Sequence, residues 1–111
     1  MKRRQRLRRS ADFARALRAG YRIGTPSVTL FIRDNDYGSP RVGFAVSRKL
    51  GNAVVRNRIK RRLRAIVRPL AERTRAGRDI VIVAKAPAVD AGGSRLKEEL
   101  EEVWQQGVDR K

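Results

Sequence analysis

The sequence contains neither cysteine nor histidine. Without cysteine there are no disulfides or thiolate metal sites, and without histidine the commonest general base and metal ligand is missing. Carboxylates are also scarce early in the chain, where only Asp12, Asp34 and Asp36 occur in the first 68 residues. A nuclease lacking histidine would need clustered carboxylates to hold metal ions. Catalysis by this chain's own side chains is therefore the least favoured function, and we predict neither a catalytic residue nor a metal ligand.

Long hydrophobic segments are absent too. The basic start, MKRRQRLRRS, is not followed by the apolar run of a signal peptide, and no stretch approaches the roughly 20 apolar residues of a membrane span. We therefore expect a cytoplasmic protein with no membrane partner. The 111 residues have the size of a single domain, and with only six aromatic residues its core should be mostly aliphatic.

Positive charge is concentrated in one part of the chain. The first 68 residues hold 20 Lys and Arg against 3 Asp, a net charge of +17, whereas residues 69–111 hold 8 basic and 8 acidic residues. This excess is larger than solubility requires and indicates a polyanionic partner. We predict a protein that binds nucleic acid, most simply a folded RNA.

The chain opens with a basic segment and a short helix. Residues 1–9 contain little that can be buried, so we predict a flexible basic arm. Ser10 is a candidate N-cap and Gly20 a candidate stop, which together predict a helix over residues 10–19.

Three strands are predicted next. A brief strand over residues 21–24 precedes an alternation of apolar and other side chains over 27–33, typical of a strand with two different faces. Turn-forming residues at 34–40 separate it from a second alternation over 41–47. We predict that these strands form a β-hairpin or meander.

The second half predicts a helix, a strand and a last helix. Asn52 is a candidate cap for a helix that Pro69 should end or kink near Arg68. Residues 79–85, DIVIVAK, form an apolar run typical of an interior strand. Ser94 is a candidate cap for a helix with an apolar stripe and an acidic outer surface, followed by a tail at 107–111. The order α-β-β-β-α-β-α predicts an α+β sandwich.

The middle helix separates apolar from basic residues. At about 100° per residue, one side carries Val55, Ile59, Leu63, Ile66 and Leu70, and the opposite side carries Asn57, Arg61, Arg64 and Arg68, flanked by Arg58 and Lys60. Such a row of like charges has no acidic neighbours along the helix to offset its repulsion. Because the arginine guanidinium binds phosphate oxygens through two parallel hydrogen bonds, this face predicts an RNA-binding surface.

The segment GFAVSRKLGNAVVRNRIKRRLR, residues 43–64, resembles the signature of the bacterial ribonuclease P protein subunit, above all in Arg56-Asn57-Arg58 followed by Lys60 and Arg61. Residues 6–20 resemble the first helix of that family, and residues 79–87 resemble its last strand and the following loop. The resemblance implies an α-β sandwich like ribosomal S5 domain 2, with a left-handed β-α-β crossover through the basic helix.

The resemblance also implies a function. Members of the family are non-catalytic partners of a large RNA that removes the 5′ leader from precursor tRNA, with Mg²⁺ held through the RNA. The implied partners are this catalytic RNA and the precursor tRNA leader, and no obligate protein partner is expected. The implied RNA contacts are Ser47, Lys49, Arg56, Asn57, Arg58, Lys60, Arg61, Arg64 and Arg68.

The family's leader cleft corresponds here to Phe13, Leu17, Thr29 and Phe31. Two of these depart from the family pattern, because Leu17 stands where many members carry a second phenylalanine and Phe31 where tyrosine is frequent. From the residues alone, the preferred interpretation of Phe13 and Leu17 is that they are ordinary core residues, four apart on one helix. Phe31 shares its strand face with Thr29 and Arg33, which predicts a less apolar side of the sheet.

Two other nucleic-acid functions suit the composition. A ribosomal or other structural RNA-binding protein would show the same charge distribution, and only the signature segment argues against it. A DNA-binding helix-turn-helix is disfavoured, because the basic helix lies between two strands and does not follow another helix across a tight turn.

Overall fold

The computed structural model describes residues 5–109. Its helices and strands are α1 (Ser10–Ala19), β1 (Tyr21–Gly24), β2 (Val28–Asp34), β3 (Arg41–Ala45), α2 (Ala53–Arg73), β4 (Arg78–Ala84) and α3 (Gly93–Gly107), and single 3-10 turns occupy Arg48–Leu50 and Ala86–Val89. This confirms the α+β class and the predicted order of elements. The strand order in the sheet is β1-β2-β4-β3.

The predicted hairpin or meander through β3 is wrong. The first two strands do form an antiparallel hairpin, but β4 lies between β2 and β3, antiparallel to the former and parallel to the latter. The physical reason is that β4 is apolar on both faces, so it belongs in the interior of the sheet. The chain passes from β3 to its parallel neighbour β4 through α2; the left-handed sense of that connection stays a prediction.

Both long helices cover one face of the sheet. That face presents buried aliphatic side chains, among them Val28, Leu30, Ile32, Ile80 and Ile82. Against them α2 buries Ile59, Leu63, Val67 and Leu70, and α3 buries Leu96, Leu100, Val103 and Trp104. The predicted aliphatic core and the apolar stripe of α3 are confirmed.

The opposite face of the sheet is covered only in part, by α1 and the residues before it. Ala16 of α1, Val81 of β4 and Leu7 are buried together, and Phe13 and Phe31 pack against them half-buried. One side of the sheet is therefore a closed core, and the other is a small apolar cluster with an open margin.

Residues 5–9 were predicted to belong to the flexible arm, and the structure corrects this. Leu7 is buried and its amide donates to the Val42 carbonyl at 2.9 Å, and Arg6 forms a parallel bridge with Val42. The Gln5 side-chain amide donates to the Ala71 carbonyl at 3.2 Å. This segment lies beside β3 because Leu7 packs in the apolar cluster under α1. Residues 1–4 of the predicted arm lie outside the described residues.

Helix ends differ from the sequence prediction at two caps. Ser10 is the first residue of α1, and Arg9 holds the N-cap position without a capping side chain. In the same way Ser94 lies inside α3, whose N-cap is Gly92. Arg9 takes the cap position before Ser10, and Gly93 is already helical before Ser94. Both serines therefore lie in the first turn of their helix.

Pro69 lies inside α2 and does not end it. Proline removes one helical hydrogen bond, but Leu70 and Ala71 beyond it are buried against the core. The helix ends instead at Arg73, and the hydroxyl of Thr74, its C-cap residue, donates to the Leu70 carbonyl at 2.7 Å. Tertiary burial of the last turn thus outweighs the local signal of the proline.

The C-terminal segment differs from the predicted acidic surface and tail. Glu99, expected on the outer side of α3, accepts from the Ser27 amide at 2.9 Å and hydroxyl at 3.0 Å. Burial opposes its ionisation, but donors on Thr25 and Ser27 outweigh that effect and lower the pKa of Glu99. Val108, placed in the tail, is buried, and residues 110 and 111 lie outside the described residues.

Gly20 generates a stability prediction. It ends α1 in an extended conformation, and a Cβ placed there would lie 2.5 Å from the Ala16 carbonyl oxygen and 2.8 Å from that of Ile32. Because backbone atoms cannot move aside without distorting the helix end or the strand, Gly20→Ala should lower the free energy of unfolding by about 1–3 kcal/mol. Urea unfolding measures this change.

The matched control is Gly93→Ala. A Cβ at Gly93 meets nothing within 4 Å, and the residue lies in the first turn of α3. Its substitution should leave stability unchanged or raise it by about 0.4–1 kcal/mol. Equal effects of the two substitutions would contradict the close approach inferred at Gly20.

Candidate nucleic-acid interface

The start of α2 is fixed by local hydrogen bonds. The Asn52 side-chain oxygen accepts from the Val55 amide at 3.0 Å, which confirms Asn52 as the N-cap. Before it, the Ser47 hydroxyl accepts from the Lys49 amide at 3.2 Å and begins a 3-10 turn. Gly51 joins turn and helix with φ of 148°, a conformation that disfavours other residues. Ser47 and Lys49 are thereby held exposed beside the first turn of α2.

The predicted separation of faces on α2 is confirmed. Ile59, Leu63 and Leu70 are buried, Val55 and Ile66 are half-buried, and Val67 joins the stripe although it was not predicted there. On the outer side Asn57, Arg58, Arg61, Arg64 and Arg68 are exposed, and Arg56 and Lys60 are half-buried at its edges. We call these seven residues the basic face.

Most of the basic face has no acidic partner. Arg68 pairs with Glu72 one turn away at 3.3 Å, so one guanidinium is partly neutralised. Within residues 5–109 the other cations, Arg56, Arg58, Lys60, Arg61 and Arg64, form no ion pair, and Arg56 Nε is buried without a hydrogen-bond partner. Unneutralised guanidinium groups in a row provide an electrostatic site for a chain of phosphates.

The second candidate surface is the open margin of the sheet beside α1. Phe31 lies between Arg22 of β1 and Val81 of β4 in the register, and Thr29 lies beside Val83 one step along the same face. Both Thr29 and Phe31 are half-buried. Their side chains point away from the closed core, as the alternation in the sequence predicted.

The two α1 residues predicted for the leader cleft have different environments. Phe13 is half-buried, and its ring lies where a side chain on Gly43 would be, because a Cβ there would come within 2.3 Å of the ring. Leu17 is 43% exposed. Gly43 therefore belongs to this site, although it was not predicted from the sequence. A glycine inside a strand, here between Val42 and Phe44, often marks a place where another group approaches the backbone closely.

An ion-pair network attaches α1 to the sheet. The Arg41 guanidinium donates to both carboxylate oxygens of buried Asp79, at 2.8 and 2.7 Å, and lies 3.6 Å from an Asp12 oxygen. The hydrogen bonds to Asp79 raise the pKa of Arg41 above its ordinary value. Asp12, predicted only as a first-turn acid, thus also links α1 to β3 and β4, and this holds Phe13 over the sheet.

Comparison with known proteins agrees with this geometry. Residues 1–107 match the family model of ribonuclease P. The chain belongs to the ribonuclease P protein family. It is 40% identical to the ribonuclease P protein component of Symbiobacterium thermophilum over 106 residues. This alignment covers 95% of this chain and 92% of that protein. As a member of this family it is a subunit of ribonuclease P and acts in tRNA processing.

Solved structures of the family have the same fold. The Staphylococcus aureus RNase P protein superimposes with a TM-score of 0.82 at 31% identity, covering 92% of this chain and 94% of that one. The Thermotoga maritima RNase P protein gives a TM-score of 0.83 at 27% identity, covering 91% and 96%.

Neither a candidate membrane span nor a candidate metal site is found in residues 5–109. No helix in this range is long and apolar enough to cross a membrane. No group of three or more acidic side chains there is arranged to hold a metal ion.

Proposed function

We propose that this subunit binds the catalytic RNA of ribonuclease P through the basic face of α2. The observation that carries the proposal is the row of cations on one side of α2, five of which form no ion pair within residues 5–109, while the other side of the helix is buried in the core. Ser47 and Lys49, exposed just before α2, extend this surface with a hydroxyl and a further cation. Phosphate contacts of this kind supply affinity and are sensitive to salt.

We further propose that the open margin of the sheet holds the 5′ leader of precursor tRNA. Phe13 and Phe31 pack in one cluster beside this margin, Thr29 lies on the same face of β2 as Phe31, and Leu17 is exposed on α1. A partly exposed ring is a sequence-tolerant surface on which single-stranded bases stack. Hydrolysis of the phosphodiester is assigned to the RNA and its Mg²⁺ ions. The chain's part is to bind and position the substrate in the cytoplasm, where precursor tRNA is made.

Precursor tRNA cleavage tests this division of labour. In low Mg²⁺, the protein alone and the catalytic RNA alone should both cleave poorly, and the two together efficiently, because the protein supplies positive charge that the RNA otherwise takes from added cation. In high Mg²⁺ the RNA alone should be active. Cleavage by purified protein without RNA would overturn the proposal.

Arg61→Ala should weaken binding to the catalytic RNA and lower the slope of log affinity against log salt by roughly 0.7 to 0.9, the value for one lost phosphate contact. Arg61 is exposed, so stability should not change. The measurement is a binding titration at several salt concentrations.

Lys97→Ala is the charge control for Arg61→Ala. Lys97 is exposed on α3, next to Glu98 and one turn from Glu101, and is not part of the basic face. Its loss removes the same formal charge and should leave the slope unchanged. An equal fall in slope for both variants would show that net charge, and not a contact at Arg61, sets the affinity.

Phe31→Leu should weaken holoenzyme binding of precursor tRNA by roughly five- to a hundredfold, the equivalent of losing one base stack. Leucine keeps apolar volume against Val81 and Ala16, so the fold should be retained. Phe31→Tyr keeps the ring and should bind normally. Mature tRNA, which lacks the leader, should bind all three proteins alike; equal weakening for both RNAs would remove Phe31 from the leader site.

A further inference from the structure

A notch opens at the β3 edge of the sheet, between residues 6–8 and α2. Arg6 and Arg8 approach it from one side, and Lys60 and Arg64 approach it from the other. Phe13 and Phe44 form part of its wall. Sequence reasoning placed Arg6 and Arg8 in a flexible arm, and it assigned no role to Phe44.

The position of the two arginines is fixed by their neighbour. Leu7 between them is 5% exposed and its amide bonds to the Val42 carbonyl, so Arg6 and Arg8 extend from a backbone that is paired to the sheet. Both side chains are exposed. An ordered pair of cations loses less conformational entropy on binding than a free arm would.

The charge of the notch is of one sign. No carboxylate lines it, and within residues 5–109 none of its four cations forms an ion pair. Four unneutralised cations around one opening repel each other, so the site favours an anion with several acceptor oxygens.

The wall of the notch suits an aromatic group beside that anion. The Arg64 guanidinium lies over the Phe44 ring, 5.8 Å from its centre, on the face of the sheet that carries the closed core. The edge of the Phe13 ring reaches the notch from the opposite face, above Gly43, so the two rings border it from either side of β3. The volume is about 220 Å³, below the ~300–1,000 Å³ of pockets for drug-sized ligands. That space accommodates one planar base and not a run of nucleotides.

We propose that this notch binds a single unpaired nucleotide of RNA, with its base against Phe44 and Phe13 and its flanking phosphates on Arg6, Arg8 and Lys60. The inference rests on the proposed function and adds a binding site between the basic face and the leader surface. The nucleotide comes either from the catalytic RNA or from the precursor tRNA leader, since both present the same chemistry.

Two titrations distinguish these sources. One measures protein affinity for the catalytic RNA, and the other measures holoenzyme affinity for precursor tRNA against mature tRNA, each at several salt concentrations. Arg6→Ala and Arg8→Ala should each lower the salt slope by roughly 0.7 to 0.9 in one of the two titrations. A lower slope in the titration with the catalytic RNA assigns the nucleotide to that RNA. A lower slope only in the titration with precursor tRNA assigns the nucleotide to the leader.

Phe44→Leu tests the base contact separately. In the titration that the arginine variants change, this variant should lower the affinity about fivefold or more. The salt slope should stay unchanged, because stacking on a base involves no charge. Thermal unfolding of each variant confirms that the fold is intact. Lys97→Ala serves again as the charge control.

The outcomes separate this inference from the proposed function. If Arg61→Ala weakens catalytic-RNA binding while Arg6→Ala and Arg8→Ala change neither titration, the notch proposal is overturned and the basic face stands. If Arg61→Ala is also without effect, the proposed function itself fails. An effect of the arginines without any effect of Phe44→Leu overturns the base contact and leaves a phosphate site.

Discussion

The packing of α2 on the sheet is the interaction on which the rest of this structure depends. Repulsion among the cations on its outer side opposes helix formation, and within residues 5–109 only Arg68 of the basic face gains an acidic partner. What holds the helix is apolar burial of Ile59, Leu63, Val67 and Leu70, each at most 2% exposed. At about 1.5–3 kcal/mol for each fully buried side chain, this burial outweighs pairwise repulsions of a few tenths of a kcal/mol.

The same packing determines where the RNA-binding groups point. The arginines lie on the side of α2 opposite its apolar stripe, so burial of the stripe places them toward solvent. No specific contact to the arginines is needed for this orientation. The opposite side of the sheet follows a different rule. There α1 covers only part of the surface, and the apolar packing of Ala16 and Phe13 is joined by the ion pair from Asp12 to Arg41, which also holds Asp79. The two surfaces meet at β3, where residues 6–8 also lie.

Two acidic side chains serve the fold from positions withdrawn from solvent. Asp79 and Glu99 are withdrawn from solvent and hydrogen-bonded, the first to Arg41 and the second to Ser27. The exposed glutamates of α3 lie on the helix whose apolar stripe completes the core. In a protein with a net charge of +17, these two carboxylates are thus committed to hydrogen bonds within the fold and do not neutralise the basic face.

The sequence by itself determined the elements with strong periodicity, the sidedness of α2 and the family resemblance, because these depend on residues close together along the chain. Only the tertiary structure decided that β4 separates β2 from β3, that α2 continues past Pro69 and that Leu7 anchors the segment before α1. Each of these depends on burial against residues distant in sequence, such as Val42 and Val81. Local signals cannot report such contacts, and the position of Arg6 and Arg8 beside α2 was invisible for the same reason.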